Sequence, residues 1–149
     1  MTTTEQVKAL RDKTGISIMQ CQKALEEAGG DEARALAILE EKGAAIAAKK
    51  SDRTLGAGVV ESYIHNTGKI GAMILLQSET DFVAQNPEFK SLAKEIAMHV
   101  AAMGTTDREK VIAEPFIKDP SKTVGDLITQ ATQKFGERIL LAEISRLSQ

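Results

Sequence analysis

The side chains here that are equipped for covalent or metal chemistry are few and scattered. Two histidines, His65 and His99, and one cysteine, Cys21, are the nitrogen and sulfur donors available. Zinc is held by four such donors at short, paired spacings, and positions 21, 65 and 99 make no such set. No metal is expected. There is no G-x-x-x-x-G-K-[ST] loop to cradle phosphates. Gly56-Ala57-Gly58 stands before the first strand-like run, whereas a dinucleotide fingerprint follows a strand. No G-x-S-x-G nucleophile elbow occurs. Carboxylates are plentiful, yet no pair stands out as an acid/base couple. The pattern favours a binding protein with no covalent chemistry and no cofactor of its own.

Composition narrows the class further. With 42% apolar and 27% charged residues the chain is globular, and its 149 residues can bury a real core unaided. The net charge of −2, with acids and bases interspersed, argues against direct nucleic-acid binding, which calls for a basic stripe. Lys49, Lys50 and Arg53 form the one local basic cluster, and a solvated linker accounts for them. A lone cysteine excludes an internal disulfide and suits a reducing compartment. No run is long and apolar enough to span a bilayer, so no membrane contact is expected. Met1 to Glu5 lacks the basic-then-apolar pattern of a signal peptide. The expected location is the cytoplasm.

The elements come in two groups. Residues 1–48 read as a helical module. Thr3 and Gln6 have capping-box spacing, and Val7 and Leu10 give an apolar face ending near Gly15. Ser17 and Gln20 repeat the spacing, and Ile18, Cys21, Ala24, Leu25 and Ala28 follow helical periodicity up to Gly29-Gly30. Asp31 caps a third helix with Leu36 and Leu39 inside, closing at Gly43, with Ala44 to Lys50 available as a helical tail. Three short helices with glycine turns make a small bundle resembling the ubiquitin-associated type. Residues 49–58 read as a linker, and 59–149 as the core.

In that core the period changes. Val59 to His65 and Ile70 to Gln77 read as strands joined by a hairpin turn at Asn66-Thr67-Gly68-Lys69. The second run is apolar on both faces, which suits cover by helices on one side and by a partner or second subunit on the other. Asn86-Pro87 starts a helix whose face is Phe89, Leu92, Ala93, Ile96, Ala97, Val100 and Met103, ending at Gly104. Thr106 and Glu109 suggest a short helix before Pro115, and Asp119-Pro120-Ser121 a loop. Thr123 caps a helix carrying Val124, Leu127, Ile128, Ala131 and Phe135, which Gly136 ends. Ile139 to Leu147 fits strand or helix on periodicity; as a strand it would complete a small antiparallel sheet. The fold class is α+β.

Four stretches, in order, resemble one family. They are Leu10 to Gly15 with Cys21 to Glu27; Thr80-Asp81-Phe82-Val83-Ala84; Ala97-Met98-His99-Val100-Ala101-Ala102; and Pro115 to Asp119 with Thr123-Val124-Gly125 and Gly136-Glu137. Together they resemble translation elongation factor Ts. The resemblance implies a helical module, a core with an antiparallel sheet packed on helices, and a partner, elongation factor Tu, from which GDP is released. It implies that Asp81 and Phe82 wedge beside the partner's Mg²⁺ and phosphate site. Long members carry a duplicated core and a coiled-coil insertion, for which this chain is too short. Short members pair as homodimers, so a homodimer is allowed here.

The residues taken alone give blander readings. Phe82, a ring after a strand, is core by burial statistics, and His99 is a packed helix histidine. Asp81 caps the turn after the strand. Cys21 is an inert small hydrophobe, and Gly136 a helix terminator. With the resemblance, the partner-binding set becomes Thr80, Asp81, Phe82 and Val83, with His99, Gly136, Arg11 and Lys23. Within it Phe82 is the wedge and Asp81 its neighbouring contact, while Thr80 and Val83 hold the turn. The other function class is an adapter that binds a partner through the helical module without nucleotide exchange.

Overall fold

A computed structural model describes residues 2–149, so residue 1 of the 1–48 module lies outside the described residues. The element order is α1 (Thr4–Thr14), α2 (Ile18–Glu27), α3 (Glu32–Lys49), β1 (Ala57–Ile64), β2 (Ile70–Ser78), α4 (Asp81–Ala84), α5 (Pro87–Met103), α6 (Arg108–Ala113), β3 (Pro115–Phe116), β4 (Asp119–Thr123), α7 (Val124–Phe135) and β5 (Leu140–Ser148). The fold is α+β, as expected.

The helical module forms for local reasons. Thr3 and Gln6 close a full capping box on α1, and the Asp31 carboxylate accepts the Arg34 N–H at 3.1 Å to start α3. Ser17 accepts the Gln20 N–H, but the Gln20 side chain does not complete the box. It accepts instead from Gln133 Nε2 of α7 at 3.0 Å. Leu10, Ile16, Cys21, Ala24, Leu25, Ala35 and Leu39 fill the bundle interior. Burial pushes the Cys21 thiol above its ordinary value, outweighing the Thr14 hydroxyl and Arg11, which act the other way. Ile18, read as part of the buried face, is 56% exposed beside Met19 at 65%, because Ile16 fills the entry to the core instead.

The third helix does not close at Gly43 but continues through the helical tail that Ala44 to Lys50 offered. It runs to Lys49, and Gly43 is where it meets α7: a Cβ at this position would stand 2.6 Å from Gln133 Oε1. Glycine here is a close-approach residue rather than a stop. The linker is correspondingly short, with β1 under way at Ala57, inside the 49–58 stretch expected to be linker.

The core rests on a sheet of order β1-β2-β5, antiparallel throughout. The C-terminal run is therefore a strand. One face of β2 (Ala72, Ile74, Leu76, Ser78) is buried and the alternate residues are not. The buried side packs against α5, whose Phe89, Ala93, Ile96, Ala97 and Val100 have no exposed surface. Asn86 caps α5 by accepting the Glu88 N–H at 2.8 Å, with Pro87 in the first turn. The cap of α6 is Asp107, one residue beyond the expected Thr106, since its carboxylate takes both the Glu109 and Lys110 N–H groups. The expected loop near Asp119 is part of a small β3–β4 ribbon. The Phe135 ring meets Phe89 edge-on at 6.1 Å.

Phe89 is the largest side chain with no exposure, at the contact of α5 and α7. Phe89→Ala is expected to cost about 3–5 kcal/mol of stability, read by urea unfolding.

Candidate functional site

At the end of β2 the chain turns sharply. The ladder with β1 reaches Ser78 (paired with Ala57), and the ladder with β5 ends at Gln77 (paired with Leu140). Thr80 then opens α4, a single helical turn. Val83 and Ala84 point into the core, so Asp81 and Phe82 face outward. Phe82 is 87% exposed, against the usual burial of a ring after a strand. An apolar side chain of this size forgoes about 1.5–3 kcal/mol by remaining in water. An isolated turn of helix has little stability of its own, so its placement must come from its neighbours.

Much of that placement comes from Glu137. One of its oxygens accepts the backbone N–H groups of Glu79 (3.1 Å) and Thr80 (3.0 Å), and the other accepts the Thr80 hydroxyl at 2.7 Å. Glu79 returns the contact: its carboxylate accepts the Arg138 N–H at 2.7 Å and Arg53 Nη1 at 3.4 Å. The Arg138 guanidinium reaches the Arg53 carbonyl at 2.9 Å, and the Ser78 hydroxyl donates to the Thr80 carbonyl at 3.0 Å. Thr80 thus spends its hydroxyl on Glu137 and offers α4 no side-chain cap. Gly136 sits just before this clamp. Its φ of 72° ends α7, a left-handed conformation that glycine adopts without strain, and directs the chain back toward Thr80.

The remaining expected residues are dispersed. His99 lies twelve residues along α5 from Pro87, roughly 18 Å at the helical rise. It was expected at a partner contact, but its side chain has no exposed surface. Its Nδ1 accepts the Ile117 N–H at 3.2 Å, which leaves the proton on Nε2 to donate to Glu114 at 3.2 Å. The Phe116 ring stacks on it at 5.8 Å, and Thr105 donates to the second Glu114 oxygen at 2.8 Å. His99 is buried because it bridges α5 to the segment after α6 and belongs to the wall of the core. Arg11 and Lys23 are exposed on α1 and α2. Among the described residues, no group of three or more His, Cys, Asp or Glu side chains could hold a metal ion, and no helix is long and apolar enough to cross a membrane.

Glu79, Arg53 and Arg138 were not legible as site residues, and Glu137 was legible only as part of a motif. Its partner Thr80 is 57 positions away in sequence, a pairing that no local pattern encodes.

A family model described as Elongation factor TS matches residues 79–149. Among curated relatives, Elongation factor Ts of Alkaliphilus oremlandii is 38% identical over 189 residues, covering 97% of this chain and 87% of the relative. Elongation factor Ts of Thermodesulfovibrio yellowstonii is 38% identical over 188 residues, covering 97% of this chain and 94% of the relative. That of Clostridium kluyveri is 40% identical over 148 residues; there the chain spans 99% of itself but 48% of the relative's length.

Because both ring nitrogens of His99 are committed, His99→Ala leaves the Ile117 N–H and one of the two Glu114 oxygens without partners. A loss of about 1–3 kcal/mol in unfolding free energy is expected by urea titration, the cost of a buried polar group left unpaired.

Proposed function

This chain belongs to the elongation factor Ts family and has its role in translation elongation; on that premise we propose that it releases GDP from elongation factor Tu by inserting Phe82 beside the partner's Mg²⁺ and phosphate site. The observation that carries the reading is a phenylalanine left 87% exposed on a turn whose next two residues are buried. Mg²⁺ demands near-ideal octahedral geometry with short metal–oxygen distances. A ring that displaces its ligands by about an ångström therefore weakens the whole nucleotide site. Asp81, exposed beside the ring, makes the adjoining contact, while Thr80 and Val83 hold the turn. By linkage, the factor loosens GDP as much as GDP loosens the factor. No covalent step, cofactor, nucleic acid or membrane is called for.

The 1–48 module docks on the nucleotide-binding domain of the same partner. Support comes from Ile18 and Met19, an exposed apolar pair at the start of α2, with Arg11 and Lys23 on the exposed surface of the same module. Gly136 offers a place for close backbone approach, since nothing lies within 4 Å of where a Cβ would be.

The open face of the sheet is the second surface. Val60, Ile64, Met73 and Leu147 are exposed on it, and the strand register sets Val60 beside Leu75 and Leu147 beside Gly71. We assign this face to pairing of two copies in a homodimer.

Two measurements follow. Phe82→Ala is expected to slow stimulated release of labelled GDP about 10- to 100-fold, the equivalent of the ring's burial energy. Wild-type release by a folded variant would remove Phe82 from the role. Light scattering is expected to give twice the 16.0 kDa chain mass for the wild type, and the single-chain mass for Met73→Glu.

A further inference from the structure

Resting on the reading of Phe82 as the inserted ring, we propose that Glu137 is a positioning residue for exchange: its carboxylate fixes the start of α4 and so the direction of the ring. Both sheet ladders are finished by Ser78. The N–H groups of Glu79 and Thr80 therefore have no strand to pair with, and Glu137 accepts both. A single carboxylate thus takes over where the ladder stops and carries the chain from strand into helix. Its second oxygen removes the remaining freedom of Thr80 by holding its hydroxyl.

The contact is made in both directions, with Glu79 holding the Arg138 N–H while Glu137 holds the Glu79 and Thr80 N–H groups. Two segments far apart in sequence are thereby latched at two points, which sets orientation as well as distance. Charge-assisted bonds of this kind are shorter and stronger than neutral ones. Beyond the latch, Val83 and Ala84 are pinned in the core. Asp81 and Phe82 are held between two fixed points, and Phe82 needs no contact of its own to be aimed. Glu137 need not touch the partner to affect the rate.

The test is stimulated release of fluorescent GDP from elongation factor Tu at increasing concentrations of each variant, with urea unfolding run in parallel. Glu137→Ala is expected to lower the maximal rate about tenfold, within the range that a misplacement of about 1 Å costs. The half-saturating concentration should stay within about twofold of wild type, because the docking surfaces are untouched. Glu137→Gln keeps an acceptor for the two N–H groups and can donate its amide to the Thr80 oxygen, so it should restore most of the rate. In a Phe82→Ala background, Glu137→Ala should have no further effect, since no ring is left to aim. A wild-type maximal rate for Glu137→Ala, or losses that multiply in the double variant, would overturn the positioning role while leaving the ring's role intact. A wild-type rate for Phe82→Ala alone would overturn the underlying reading and this proposal with it. Should Glu137→Ala not fold, Glu137→Asp takes its place in the same cycle, because shortening the side chain by one carbon withdraws the carboxylate from both N–H groups.

Discussion

One face of a three-stranded sheet buried under α5, with α4 and α6 at its flanks, is the contact on which the rest of this molecule depends. Antiparallel strands alternate their side chains between two faces, and here α5 covers only one of them. Ala72, Ile74 and Leu76 therefore go inward beneath Phe89, Ala93, Ile96 and Val100. The central strand must then hand the chain to the covering helix within a few residues. β2 ends at Ser78 and α5 begins at Pro87, so the connection has to cross from the sheet to the helix layer almost at once. A single helical turn solves this by burying Val83 and Ala84 at the crossing. The same geometry leaves Asp81 and Phe82 with nowhere to go but outward.

That is also why the ring's exposure was not readable from local pattern. Period, caps and glycine stops gave most of the helices, because those signals are local: the Thr3–Gln6 box, Asn86-Pro87 and Thr123 all act within three residues. The hairpin followed from β-forming runs around a glycine turn, whereas Ile139 to Leu147 fitted strand or helix until the β2 ladder made it a strand. What failed was decided by distant neighbours. Gly43 looked like a stop, but it is small because α7 crosses α3 there. Ile18 is the local exception: it fitted the helical period, yet Ile16, just before it, is the buried one. His99 read alone was a packed helix histidine, as it is; the family motif put it at a partner contact, and the ribbon after α6 makes it a buried bridge. For Phe82 the family motif, rather than the period, pointed outward.

Length bears on how much surface one chain can offer. An alignment 189 positions long against a chain of 149 leaves at least 40 positions of the Alkaliphilus oremlandii relative without a counterpart. The sheet, its covering helix and the latched turn are nonetheless all present in what remains. A single turn bearing one exposed ring needs only those three parts to be held in place, because its anchors are Val83 and Ala84 of α4 itself, buried in the core, and Glu137 of the segment after α7. The helical module is joined to this core through α3 and α7, with Gln20 bonded to Gln133 and Lys134 paired with Glu88 reinforcing the α7–α5 contact.

Under the proposed insertion of Phe82, a turn latched by carboxylates has a physical reason. A ring on a floppy loop would lose conformational entropy on insertion, at about 1–2 kcal/mol for each backbone residue fixed. That loss would consume much of the roughly 1.5–3 kcal/mol that burying the ring returns. Fixing the backbone in advance moves the ordering cost into folding, where the core supplies the surplus. A carboxylate suits the task because one group can accept several N–H and O–H donors in a fork, whereas a strand partner would hold only alternate groups along a ladder. The glycine before Glu137 lets α7 stop abruptly enough to bring that fork to Thr80. Stability held in the core is thereby converted into direction at the surface, and the ring can be both largely solvated and held in place.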